Sequence, residues 1–253
     1  MQTVVFAGRT VRHTLRTPAI LISSVVIPLL LLFTMLIMLG GVVGRTGGHY
    51  TYIARLAPLV MLSTATMAAA ISSADFYRGL HEGMFARLRT MPVHLGSALA
   101  GRIAGDMLRG LLATVVATAA ALPLGFRFTQ GLPAALGYYG LLELFAFMMA
   151  WVAVLVALLC STTAGPQNVL NAPLMLLFFL SSGFVPLTDF PAIIQPIVRA
   201  NPLSTADNAL IALSAGGPAT SAVLQTLAWA LGVSVVCALT ACRRFARLAI
   251  ASH

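Results

Sequence analysis

Six apolar stretches, at about 20–43, 54–74, 103–126, 134–160, 167–184 and 220–241, recur along the 253 residues, each near the ~20 that a helix needs to cross hydrocarbon. With 59% hydrophobic and 8% charged residues and a mean hydropathy of +0.96, a water-soluble fold could not cover its apolar side chains. Inside lipid a helix satisfies the backbone polar groups of its own segment. The sequence therefore predicts an all-α integral membrane protein with six transmembrane helices in a single domain, 1–253.

The charge pattern orients that bundle. All 15 basic residues are Arg, against 6 Asp and Glu. With the amino terminus in the cytoplasm, Arg9, Arg12, Arg16, Arg78, Arg87, Arg89, Arg102, Arg109, Arg243, Arg244 and Arg247 fall on the inner side. Arg45, Arg55, Arg127 and Arg199 fall outside. That asymmetry follows the positive-inside rule, and an even number of spans returns the carboxyl terminus to the cytoplasm. The arginines lie between apolar runs rather than in basic patches with interleaved aromatics, which argues against a nucleic-acid partner. The chain contains no Lys, and a Walker A loop needs one to reach the nucleotide phosphates. Nucleotide hydrolysis by this chain alone is therefore not expected. Cys160, Cys237 and Cys242 form neither a disulfide framework nor paired metal knuckles, and the five histidines show no ligand spacing. No metal site and no catalytic set is expected.

Three segments outside the spans carry pattern of their own. In 2–17, Val4, Val5, Val11 and Leu15 share one side of a helix and Arg9, Arg12 and Arg16 project from it, as in an interfacial amphipathic helix. The inner connection, 75–93, has helical spacing with a polar face of Arg78, Glu82 and Arg89, and Pro92 ends it. The outer segment, 185–218, is broken by Pro186, Pro191, Pro196, Pro202 and the Gly216-Gly217-Pro218 stop. Its apolar pieces, 190–198 and 204–213, are too short to cross the bilayer, so they are expected to dip in from outside as re-entrant helices. Ser204 with Asp207 three residues on reads as a capping box for the second piece.

Polar residues within the spans are few. Arg102, Asp106 and Arg109, at i, i+4 and i+7, line one helix face and can neutralise one another. The pattern suits an ion pair at the cytoplasmic end of the helix, or a part that transmits motion. Glu143 is the single acidic residue of the fourth span, near Tyr138 and Tyr139. A helix–helix hydrogen bond, a substrate contact and a proton relay all remain open for it. Asn168 and Asn171, with Gln167, open the fifth span, where amides bond between helices or touch substrate.

Three stretches carry a family likeness. EGMFARLRTMPVH, 82–94, resembles the E-G-T-L-E-R-L-R-x-x-P-V segment between spans two and three of ABC-2 type exporter membrane subunits. SSGFVPLTDFPAIIQPIVRANPLSTADNAL, 181–210, is similar to that family's S-G-x-x-x-P block ending in N-P-L-T. RIAGDMLRG and LGFRFTQGL, within 102–132, resemble the daunorubicin-resistance and phthiocerol-lipid export branch. Ala86 stands where the family usually has a second Glu, and Ile194 replaces its usual Trp.

The resemblance implies a permease in the bacterial plasma membrane, paired with a second copy or a paralogous permease and docked on two separate ABC ATPase subunits that bind ATP and Mg. The permease itself would hold no cofactor. Arg78, Glu82, Phe85, Arg87, Leu88 and Arg89 would form a coupling helix against the ATPase, and Phe184, Phe190, Ile193, Ile194 and Ile197 an outer gate. Glu143, Asn168 and Asn171 would line the substrate pathway. The expected function is export of an amphipathic drug or lipid. The competing expectation is a proton-coupled secondary transporter, which needs a carboxylate relay and usually shows internal repeats.

Overall fold

The computed structural model describes residues 30, 33–34, 49–84, 95–162, 165–183, 187 and 190–251. The interfacial helix expected at 2–17, nearly all of the first span, and Phe85, Arg87, Leu88, Arg89 and Phe184 lie outside the described residues. Among the described residues the chain forms seven α-helices: α1 (His49–Gly79), α2 (Leu95–Ala121), α3 (Gly131–Leu159), α4 (Gly165–Phe179), α5 (Gln195–Ala200), α6 (Pro202–Ala215) and α7 (Thr220–Ala251). Four segments, Ile53–Glu82, Leu99–Ala121, Gly131–Leu159 and Thr220–Phe245, are long and apolar enough to cross a membrane.

The fifth span departs from its expected bounds of 167–184. Helix α4 has 15 residues and ends at Phe179. At 1.5 Å per residue it reaches about 22 Å, short of the ~30 Å hydrocarbon core. Its end is taken over by residues 181–183, which bond to α6 instead of continuing the helix. The inner connection also differs in form. Asp75 and Arg78 belong to α1, which continues into a π-helical turn, Leu80–Met84. The first half of the expected coupling helix is thus the end of the second span, not a separate element.

Helix α1 is the centre of the bundle, packed against α2, α3, α4 and α6. Of its most apolar window 78% is buried, against 22% for α7. Alanines explain the close approach: Ala57, Ala65, Ala69 and Ala70 of α1 and Ala113, Ala117 and Ala121 of α2 share one core, where small side chains let helix backbones draw together. That core continues through Phe126, Tyr138, Leu142, Phe145 and Met148. A second core, built of Phe76, Tyr77, Leu80, Leu99, Ile103, Val154, Leu158 and Phe245, lies at the arginine-rich end. Apolar side chains remain exposed on the outer faces of α2 (Leu112, Val115, Val116) and α7 (Leu231, Val235, Val236, Leu239), as lipid-facing surfaces require.

The two ends of the bundle are closed differently. At the end opposite the arginine-rich core, the Thr129 N–H and hydroxyl both donate to the Ser214 carbonyl, each at 2.9 Å, joining the α2–α3 loop to the end of α6. Helix α6 stops at Gly216, whose φ of +97° suits a residue without a Cβ. A side chain there would also run into the Gln130 amide.

Candidate functional site

Two polar constellations stand out from the apolar bundle, one at each end. At the arginine-rich end, Asp106 is held between its i−4 and i+3 neighbours: Arg102 Nε lies 3.2 Å from one carboxylate oxygen and Arg109 Nη2 3.6 Å from the other. Helical spacing alone produces this alignment, as the sequence predicts. The pairing also crosses to α1. The Ser72 hydroxyl donates to Asp106 Oδ2 at 2.5 Å, and Arg102 Nη2 donates to the Ser72 carbonyl at 3.0 Å and to its hydroxyl at 2.8 Å. Arg109 Nη2 donates to the Ala68 carbonyl at 3.3 Å. Arg102 lies over the Phe76 ring at 5.9 Å. Both arginines of α2 thus grip α1 through backbone carbonyls one turn apart. Ser72 could have been suspected only as a hydroxyl in the facing span.

This cluster sits just above the inner connection. Arg78 pairs with Asp75, the Tyr77 and His81 rings stack at 4.1 Å, and Glu82 is exposed. Arg244 of α7 donates to the Leu158 carbonyl of α3 at 3.2 Å, so arginines fasten two helix pairs at this end.

At the opposite end, α5 and α6 form a cap. Asn201 organises it. Its side-chain oxygen accepts from the Leu203 N–H at 2.9 Å, capping α6, and its amide donates to the Leu177 and Leu180 carbonyls at 2.7 and 3.0 Å at the end of α4. Pro202 at the first helical position completes the start signal. The capping box expected from Ser204 and Asp207 does not form. Ser204 accepts from the Ser182 N–H at 3.1 Å, and Asn208 donates to the Ser182 hydroxyl at 3.1 Å, so both bind the 181–183 turn. Asp207 points inward and is wholly buried, and neither carboxylate oxygen has a hydrogen-bond partner among the described residues. Gly183 fits against it because any Cβ there would overlap the carboxylate. Burial holds this carboxyl well above the usual range, with the positive charge of Arg55 offsetting part of that rise.

The remaining sequence-predicted residues scatter. Ile193 and Ile197 are 87% and 58% exposed, while Phe190 and Ile194 are half-buried. Glu143 is half-buried, and one of its oxygens has no hydrogen-bond partner among the described residues. The two nearby tyrosines do not serve it: the Tyr138 hydroxyl donates to Met61 Sδ at 2.9 Å, and both rings join an aromatic cluster with Phe128. Asn168 and Asn171 are exposed on α4, and no helix–helix bond from either is found among the described residues. Among the described residues, no group of His, Cys, Asp and Glu has the makings of a metal site.

The comparisons with known proteins identify the family. Residues 1–213 match the family described as ABC-2 type transporter. The chain belongs to that family. This ABC-2 type permease is 32% identical over 240 residues, 94% of its length and 85% of the relative's, to a protein of Mycobacterium tuberculosis named as a probable doxorubicin resistance ABC transporter permease. It is 29% identical over 195 residues, 76% of its length and 67% of the relative's, to a daunorubicin resistance ABC transporter permease of Streptomyces coeruleorubidus. As an ABC-2 type permease it is an integral membrane subunit of an ABC transporter.

Proposed function

We propose that this permease exports an amphipathic molecule, a planar anthracycline-like drug or a lipid, from a bacterial cytoplasm, energised by two separate ATPase subunits and paired with a second permease. The similarity to doxorubicin and daunorubicin resistance permeases over most of the chain carries this reading. Both termini lie in the cytoplasm. The clustering of Arg102, Arg109 and Arg244 at one end of the bundle supports that sidedness under the positive-inside rule. The segment 75–93 docks on the ATPase, and its tilt passes through the Ser72–Arg102–Asp106–Arg109 grip to the paired helices α1 and α2. The cap of α5 and α6 closes the outer exit. A proton-coupled mechanism would need a carboxylate relay, and Asp106 is already committed to two arginines.

The test is vanadate-sensitive efflux of fluorescent doxorubicin from cells expressing the permease with and without its ATPase. Efflux that persists without any ATPase and collapses with the proton gradient would overturn the reading. In the same assay, Phe85→Asp is expected to leave membrane insertion intact while uncoupling hydrolysis from transport, because an apolar anchor dominates helix-in-groove docking.

A further inference from the structure

One opening on the described surface lies apart from the charge cluster and from Glu143. It is a groove of about 490 Å³ between the cap and α7, lined by Arg199, Ala200, Thr205, Gln225, Ala228 and Trp229. Three features define what it accepts. Arg199, in the last turn of α5, is exposed and has no ion pair or hydrogen bond among the described residues. Gln225 and Trp229 add an amide and an indole N–H, and the lining contains no acid. The groove offers donors and one positive charge, which suits an anion and disfavours a cationic drug amine.

Its depth identifies the anion. Gln225 and Trp229 lie five and nine residues into α7, about 8 to 14 Å from the helix start, where Trp and Arg meet lipid headgroups. Below them on the same face, Gly232, Val235, Val236 and Leu239 are exposed, and Gly232 has open space before it. From Gln225 to Leu239 this stripe runs about 21 Å, enough for a headgroup and one leaflet of acyl chain. A free phosphate would use only its top.

We infer that this groove holds an outer-leaflet phospholipid, its phosphodiester on Arg199, Gln225 and Trp229 and an acyl chain over Gly232 along α7. The bound lipid seats the cap against α7, because α5 and α6 form one wall and α7 the other. The assignment to the outer leaflet rests on the sidedness proposed above; the dependence on Arg199 does not.

The test uses the permease–ATPase complex in nanodiscs containing photoactivatable phosphatidylglycerol, which is present in both leaflets. Irradiation is expected to label the 220–240 segment of α7. Arg199→Gln is expected to lower that labelling about tenfold, the loss of a charge-assisted hydrogen bond, whereas Arg199→Lys retains most of it. Retained ATPase activity confirms that each variant is folded. Labelling unchanged in Arg199→Gln overturns the proposal, as does displacement of the label by inorganic phosphate, which would mark a free-anion site. A disulfide between two copies carrying Ala228→Cys would make the groove a protein interface and overturn it too. In cells, Ala228→Cys is expected to react with an impermeant maleimide only from outside. Reaction only from the cytoplasmic side overturns the leaflet assignment and the proposed sidedness, and leaves the Arg199 dependence as a separate result.

Discussion

Asp106 and Asp207 are both acids within an apolar bundle, and their surroundings give them opposite energetics. Asp106, 11% exposed, has two arginines and a hydroxyl around it. Removing its charge leaves Arg102 and Arg109 facing each other without a counterion, and breaking a buried pair from one side is costly. Asp106→Asn is therefore expected to destabilise the detergent-solubilised protein by about 3 kcal/mol. Arg78→Ala, which removes a pair whose Arg side chain is 57% exposed, should cost less than about 1 kcal/mol. Thermal melts of the two variants with equal shifts would refute the grip. Asp207 is the reverse case, a buried carboxyl with no hydrogen-bond partner among the described residues, in a helix too short to span. Its carboxyl titrates near 3.8 when unfolded and well above that when folded, so between those values the folded chain holds a proton the unfolded chain has lost. Stability from this residue is complete below about pH 4 and declines as pH rises toward the folded value. Asp207→Asn should flatten that decline and leave stability at neutral pH equal or higher; a steeper decline in the variant would contradict the burial argument. The Arg102–Asp106–Arg109 face was legible because a helix repeats every 3.6 residues. Ser72, Asn201 and Gly183 were not, because their partners lie in other segments and no local period connects them.

At the scale of elements, the long helices announced themselves through length and hydropathy, and α3 matches its expected bounds of 134–160 to within three residues at each end. The short elements were legible only as broken apolar pieces. Where α4 ends is decided by Asn201 and by the 181–183 turn folding onto α6, contacts from 20 or more residues away. The cap offers its own test. Ile193 and Ile197 are exposed apolar side chains at a bundle end, which suits burial in lipid rather than contact with water. Cysteines at Ile193 and Ile197 should react with a lipid-soluble maleimide and resist a charged one, while a cysteine at Thr220, at the exposed start of α7, should take both. Rapid labelling of all three by the charged reagent would show the cap to be a solvated loop and remove the proposed gate.

At the scale of the whole molecule, one surface among the described residues suits lipid poorly. Along α4, Asn168 and Asn171 are exposed on a stripe that continues through Met175, Leu176 and Phe179, the last three 62%, 61% and 49% exposed. Apolar side chains are at ease in hydrocarbon, but an amide there lacks hydrogen-bond partners, a cost that a second helix relieves by about 1 kcal/mol per bond. The stripe therefore fits the proposed second permease better than lipid. With Cys160, Cys237 and Cys242 replaced, Asn171→Cys is expected to form a disulfide-linked permease pair when native membranes containing the complete transporter are oxidised. Val115→Cys, on the exposed face of α2, should not. Under the proposed mechanism ATP with vanadate should change the yield at position 171, because closure of the ATPase subunits would shift the two permeases against each other. A pair formed equally at both positions would mean random collision in the membrane. No pair at position 171 under any nucleotide condition would place the seam elsewhere and leave the two asparagines to the substrate.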